Sequence, residues 1–215
     1  MIKLDILSDP ICPWCLIGWT NLARALEARP DHPFLIEWHP FQLNPDMPKG
    51  GMDRRHYLET KFGGKERAVQ AYLPVLQHAE RAGITLNLDA ITRTPNTLDA
   101  HRLIHWAGIE GRQTPVVLAL FRANFVEGRD IGDAATLAEI AAAAGMDRAM
   151  VEMLLAGDAD AADIAARDTH ARSRGVTGVP TFVIDNQHVL TGAQPTETWL
   201  SIIDEIMAQL PDQGA

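Results

Sequence analysis

Ile2-Lys3-Leu4-Asp5-Ile6-Leu7-Ser8-Asp9-Pro10-Ile11-Cys12-Pro13-Trp14-Cys15 is the stretch on which the fold of this chain turns. Residues 2–7 alternate apolar and polar and run into Ser8-Asp9-Pro10, the pattern of a strand closed by a turn. Leu16, Trp19, Leu22, Ala23 and Leu26 then recur at helical spacing until Pro30 stops the pattern. A C-x-x-C pair therefore straddles a strand-to-helix junction, the setting of a thioredoxin-type redox motif. Pro13 falls at the first helical position, where its missing N–H costs nothing. Unpaired N–H groups and the positive end of the helix dipole favour a thiolate at Cys12. Three residues on, Cys15 lies on the same side of the helix, within reach of a mixed disulfide on Cys12. The expected roles are Cys12 as an exposed nucleophile and Cys15 as a more buried resolving thiol.

Cys12 and Cys15 are the two cysteines of the 215-residue chain, too few for a disulfide scaffold. The loop they would close is so short that a crosslink adds little stability through chain entropy. In a reducing compartment such a pair is catalytic or metal-binding rather than structural. A zinc site would need two more ligands, for which there is no second C-x-x-C; His101 and His105 come closest. Redox chemistry is the expectation, with no bound metal.

Outward from this motif, Phe34–Phe41 reads as a second strand with Phe34, Ile36 and Trp38 on one face and Leu35, Glu37 and His39 on the other. A Pro- and Gly-rich loop over 44–51 marks a change of organisation. The periodicity then predicts helices at 53–61, 64–82, 96–110, 114–127, 133–144, 147–156 and 158–174, with Asn96 and Asp133 available as caps. Strand character returns at 181–184 and 188–190, before a final amphipathic helix with Trp199, Leu200, Ile203, Ile206 and Met207 on its buried side. Trp38, Trp106 and Trp199 fit core positions. The order β-α-β, helical block, β-β-α predicts an α/β fold with one sheet built from both chain ends. Residues 1–45 and 175–215 would form a discontinuous sheet domain, and 46–174 an all-helical insertion.

Composition agrees with a globular chain: 47% hydrophobic and 22% charged. The 19 Lys and Arg against 28 Asp and Glu give a net charge of −9, which argues against nucleic acid or an anionic membrane as target. No apolar run approaches the roughly 18 residues that span a bilayer. The N-terminus lacks an apolar run of signal-peptide length, so a cytoplasmic location is expected. Monomer and homodimer both fit the sequence.

A second motif, Gly178-Val179-Pro180-Thr181, stands directly before the third strand. Together with Asp9-Pro10-Ile11-Cys12-Pro13-Trp14-Cys15, Trp38-His39-Pro40-Phe41-Gln42-Leu43-Asn44-Pro45, Asn96-Thr97, Ala100-His101-Arg102 and Gly192-Ala193-Gln194, it resembles the DsbA-type thioredoxin-fold oxidoreductases, in their FrnE-like branch. That branch is grouped with 2-hydroxychromene-2-carboxylate isomerases and kappa-class glutathione transferases, and the resemblance spans essentially the whole chain. It implies a thioredoxin fold with a large helical insertion, and a thiol–disulfide oxidoreductase or disulfide isomerase acting on protein or small-thiol disulfides. It implies no tightly bound cofactor, with glutathione as a co-substrate. Pro180 would be a cis-proline facing the dithiol, and Val179 would offer its backbone to an extended substrate segment. Trp14, beside Pro13 between the cysteines, would be partly exposed and contact substrate. His39, on the strand next to the dithiol, would stabilise the thiolate or simply pack; Asn96 and His101 would bind glutathione or peptide, or cap and pack. The alternative activity is a glutathione-dependent isomerase of the hydroxychromene type, whose members carry Ser where Cys12 stands. One departure affects mechanism. Thioredoxin-type enzymes carry a buried acid six residues before the first cysteine, where this chain has Ile6; either Asp9, Glu37 or His39 replaces it, or solvent deprotonates Cys15.

Overall fold

The computed structural model describes residues 1–209; residues 210–215 of the expected terminal segment lie outside the described residues. β1 (Ile2–Ser8), α1 (Pro13–Ala28) and β2 (Phe34–Pro40) make the first half of the sheet layer. β5 (Thr181–Ile184), β6 (His188–Thr191) and α9 (Thr196–Gln209) make the second. The sheet runs β2-β1-β5-β6, with β1 parallel to β2 and antiparallel to β5. Because β1 is central, every residue from Leu4 to Ser8 is buried. Register places Ile6 between Trp38 and Phe182, and Leu7 between His39 and Thr181. By strand alternation, Leu4, Ile6, Trp38 and Phe182 share one face, and Asp5, Leu7 and His39 the other. The first face is covered by α1 and by α9 through the fully buried Trp199 and Ile203.

Between the halves lie α2 (Arg54–Phe62), α3 (Lys65–Arg81), α4 (Leu98–Ile109), α5 (Gln113–Phe125), α6 (Ala134–Ala143), α7 (Arg148–Ala156) and α8 (Ala161–Ser173). All seven expected helices are present, within a few residues at each end. Asp133 caps α6 by accepting from Thr136 N–H, as its side chain dictates. The block is not wholly helical: β3 (Met52–Asp53) and β4 (Arg93–Thr94) pair as a two-stranded ribbon. Two-residue strands carry no periodicity to read. The apolar core is continuous from Leu4 and Phe182 of the sheet to Leu120 and Leu137 of the helices. Gln113, at the start of α5, completes the edge of β2 with its amide, accepting from Trp38 N–H (2.8 Å) and donating to Trp38 C=O (3.0 Å).

Two expected faces are adjusted. In α1 the deepest positions are Cys15, Ile17, Gly18, Leu22 and Ala25, while Leu16, Trp19 and Leu26 are only half-buried. The helix is covered by the sheet, α3 and α9, so its buried arc is wider than one stripe. In α9, Met207 is exposed, because it lies beyond the reach of the sheet. Trp38, Trp106 and Trp199 are all buried.

Gly18 sets how closely α1 approaches the segment before β5. A Cβ there would lie 3.0 Å from Pro180 Cγ and 3.3 Å from Ala193 Cα. Gly18→Val should therefore overpack this contact and lower stability by about 1–3 kcal/mol. Urea unfolding midpoints measure it; an unchanged midpoint would mean that the helix and the Pro180 segment are not in register.

Candidate active site

Cys12 is the N-cap residue of α1, in extended conformation (φ −89°, ψ 113°), with Pro13 opening the helix. The preceding turn is fixed by Cys12 N–H donating to Asp9 C=O at 2.9 Å. The Cys12 thiol donates to the Val179 carbonyl at 3.6 Å, and the Val179–Pro180 peptide bond is cis. Cys15 lies one turn further in, 1% exposed, with its thiol against the Ser8 hydroxyl and the Asp9 backbone. The two sulfurs are not bonded to each other. Burial, reinforced by the neighbouring Cys12, pushes the Cys15 thiol well above its ordinary value. Cys15 is thereby kept protonated in the dithiol form.

Cys12 itself is not exposed, contrary to expectation: it is 3% accessible. The reason is long-range. The α2–α3 hairpin and β4 fold over the head of α1 and enclose a cavity of about 280 Å³ onto which Cys12, Trp14 and Val179 open. Trp14 is half-buried and meets His78 of α3 edge-on at 5.1 Å. Access to the nucleophile runs through this cavity. Its other walls carry Arg54, Tyr57 and Lys61 of α2, Tyr72 of α3, and Arg93 and Thr94 of β4. None of these was singled out from the sequence. The legible signal was Arg54-Arg55-His56-Tyr57 with Lys61, a local cationic run in an acidic chain.

The remaining expected residues divide. Pro13, Trp14, Val179 and Pro180 converge on Cys12. His39 does not: its Nε2 pairs with Asp5 Oδ1 at 2.7 Å on the opposite sheet face, beside an open groove of about 980 Å³. Glu37 lies with it. Asp5, Glu37 and His39 could together ligate a metal ion, but the Lys3 ammonium already sits on both carboxylates, 3.0 Å from Asp5 and 2.9 Å from Glu37. Asn96 is occupied as a loop tie, donating to Met47 C=O at 2.6 Å and accepting from Leu98 N–H at 2.9 Å. It braces the turn before α4, whose N-cap is Thr97, rather than facing the cavity. His101 is 3% exposed, with Nε2 lacking a hydrogen-bond partner and 3.8 Å from Asp9 Oδ1.

Asp9 is a buried acid beside the dithiol, fully enclosed and three residues before Cys12, at the start of the turn that leads into the motif. Its carboxylate accepts from Leu43 N–H at 2.7 Å and Ile11 N–H at 3.4 Å. Of the three groups that could replace an acid at Ile6, Asp9 is the one on the dithiol's side of the sheet. Burial pushes its carboxyl up to about 7 against the pull of those donors and of the Thr97 hydroxyl. Burial likewise pushes His101 down to about 4. These shifts have opposite linkage. The raised Asp9 stabilises the fold at low pH and loses that contribution as pH rises from 3.8 to about 7. The depressed His101 stabilises above its ordinary value of 6.5 and loses that contribution as pH falls to about 4. Between pH 4 and 6.5 the two cancel. His101→Gln should unmask a stability that falls with rising pH, by up to about 1.4 kcal/mol per unit, and Asp9→Asn one that rises. Urea midpoints across pH 4–7 test this; parallel pH profiles in both variants would refute it.

Among solved structures, a probable DsbA oxidoreductase from Streptomyces coelicolor is similar at 29% identity and TM-score 0.84, covering 100% of this chain and 94% of that one. The cytosolic disulfide reductase DsbM from Pseudomonas aeruginosa, solved with GSH, shares the fold at 22% identity and TM-score 0.66, covering 96% and 99%. A 2-hydroxychromene-2-carboxylate isomerase also shares it at 18% identity and TM-score 0.69, covering 99% and 100%. No helix among the described residues is long and apolar enough to cross a membrane. The model of the DSBA-like thioredoxin domain matches residues 3–204, and with a dithiol at the head of α1, a cis-proline segment beside it and a helical insertion within the sheet, the chain belongs to that family.

Proposed function

We propose that this chain is a dithiol–disulfide oxidoreductase in which Cys12 attacks a disulfide and Cys15 resolves the product. The observation that carries this reading is the Cys12 sulfur at the N-terminus of α1, on a cavity wall, with the buried Cys15 one turn behind it. In the first step the Cys12 thiolate attacks one sulfur of a substrate R–S–S–R′. A Cys12–S–S–R bond forms and R′–S⁻ departs. Cys15 then loses its proton to the departing thiolate and attacks Cys12 Sγ, which expels the second thiolate and closes the Cys12–Cys15 disulfide. The substrate gains two electrons and the chain loses two; reversal runs the same steps backwards. The Val179 backbone lies where an extended segment attached to the attacked sulfur would run. Protein disulfides and small-thiol disulfides are both substrates on this reading, with glutathione as co-substrate and the cytoplasm as location. Support for the last two comes from the DsbM neighbour, which is described as cytosolic and was solved with GSH. Retention of Cys12 favours exchange over hydroxychromene-type isomerisation.

Incubation of Cys15→Ser with oxidised glutathione should accumulate a protein carrying one glutathionyl group, seen by intact mass and reversed by dithiothreitol. Cys12→Ser should accumulate none and lose all exchange activity. Equal adduct formation in Cys12→Ser would remove Cys12 as the nucleophile.

A further inference from the structure

We infer that the α2–α3 hairpin is a lid over Cys12: small disulfides enter beneath it while it is closed, and protein disulfides are admitted when it opens as a unit. This rests on the exchange reading and divides its substrates by how they reach the nucleophile. In the mixed disulfide, half of the substrate is bonded to Cys12 Sγ and must find room beside it. Cys12 is 3% exposed, and the cavity over it measures about 280 Å³, the lower end of small-ligand pockets. A small half-disulfide fits that space. A cysteine carried on a polypeptide brings flanking residues that have to pass the hairpin, so the hairpin has to move.

The packing of the hairpin suits such a movement. α2 buries no residue, and α3 buries only Ala68, Val75 and Ala79. Val75 and Ala79 meet Ile17 and Ala82 in a small cluster separate from the main core. On the outer side, Val69, Leu73 and Leu76 are left exposed. Within itself the hairpin is well tied. Arg54 of α2 donates to Tyr72 Oη of α3 at 3.2 Å, and Phe62 meets the Tyr72 ring edge-on at 6.3 Å. Its ion pair, Arg55 with Glu59 at 2.8 Å, is internal. The ties outward are fewer: Tyr57 Oη donates to Asn44 Oδ1 at 2.9 Å, Arg24 Nη2 of α1 donates to Ala82 C=O at 2.7 Å, and His78 meets Trp14. A body held firmly within and thinly without opens cooperatively, at less cost than unfolding the whole chain. Its pivots are the two-residue β3–β4 ribbon at one end and Gly83, in the left-handed region at φ 65°, at the other.

The test compares the reduced full-length protein with Arg24→Gln and Ile17→Val, which loosen the hairpin's seat on α1 and are not part of the cavity wall. In the parent, amide hydrogen exchange should be faster over residues 54–82 than over α4 and α5. Each variant should speed it about fivefold in the hairpin alone. Two probes then read access to Cys12 by release of pyridine-2-thione: the 2-pyridyl mixed disulfides of 2-mercaptoethanol and of a ubiquitin variant with one surface cysteine. The rate with the protein probe should rise by the same factor in each variant, because it scales with the open fraction. The rate with the small probe should not change. Hairpin exchange as slow as that of α4 and α5, or sped equally throughout the chain, would overturn the lid. So would equal acceleration of both probes, or none with the protein probe. A hairpin that opens as described while neither probe reacts faster than in Cys12→Ser would overturn the exchange reading, and the gating with it.

Discussion

One contact holds the site together: the Cys12 sulfur against the carbonyl of Val179, 167 residues away in the chain. It can form only if the head of α1 and the segment before β5 are delivered to the same end of the sheet. Central β1 does this, because α1 follows it directly and β5 pairs with it on the side away from β2. Gly18 then lets α1 settle onto Pro180 without a side chain between them. Hydrogen bonds lock the arrangement from the far side. Asn21 Nδ2 donates to Gln194 C=O at 2.9 Å, and the Thr196 hydroxyl donates to Asn21 C=O at 3.1 Å. The helical insertion can thus leave and re-enter the sheet layer without disturbing the dithiol's position.

The insertion does more than bridge two halves of a sheet. Its α2–α3 hairpin and the β3–β4 ribbon roof the nucleophile, converting a helix terminus that would face solvent into a walled cavity. Electrostatic interactions are stronger in such a partly enclosed space than on an open surface. The roof therefore lines the cavity onto which Cys12 opens, whereas the sheet layer positions the two cysteines. The groove on the opposite sheet face, with its Asp5–His39 pair, extends to the Gly178–Pro180 segment that also borders the dithiol.

Much of this was legible in the sequence, for identifiable reasons. C-x-x-C at a strand-to-helix junction and Val-Pro-Thr before a strand are local patterns with local causes, and the helices of the insertion announce themselves by periodicity. The burial of Cys12 was not legible, because the residues that cover it lie forty to eighty positions later and have no fixed spacing from it. His39 shows a subtler limit. Alternation along β2 placed it on the face opposite Trp38, but the side on which α1 would pack is settled only by tertiary structure. Asp9 is similar: its place in the turn was plain, and its enclosure by Leu43 and the helical block was not. Asn96, read as a possible cap, instead lies one residue before the N-cap Thr97 and accepts from Leu98 N–H.

The central claim, that Cys12 and Cys15 act as one reversible two-electron couple, is tested most directly by equilibrating the protein in glutathione buffers of graded ratio. Free thiols are counted after acid quenching. A single reversible transition between two thiols and none, fitted by a two-electron couple and absent in Cys12→Ser, is the predicted result. A pair that stays fully reduced at every ratio, or loses its thiols one at a time to stable glutathione adducts, would contradict it.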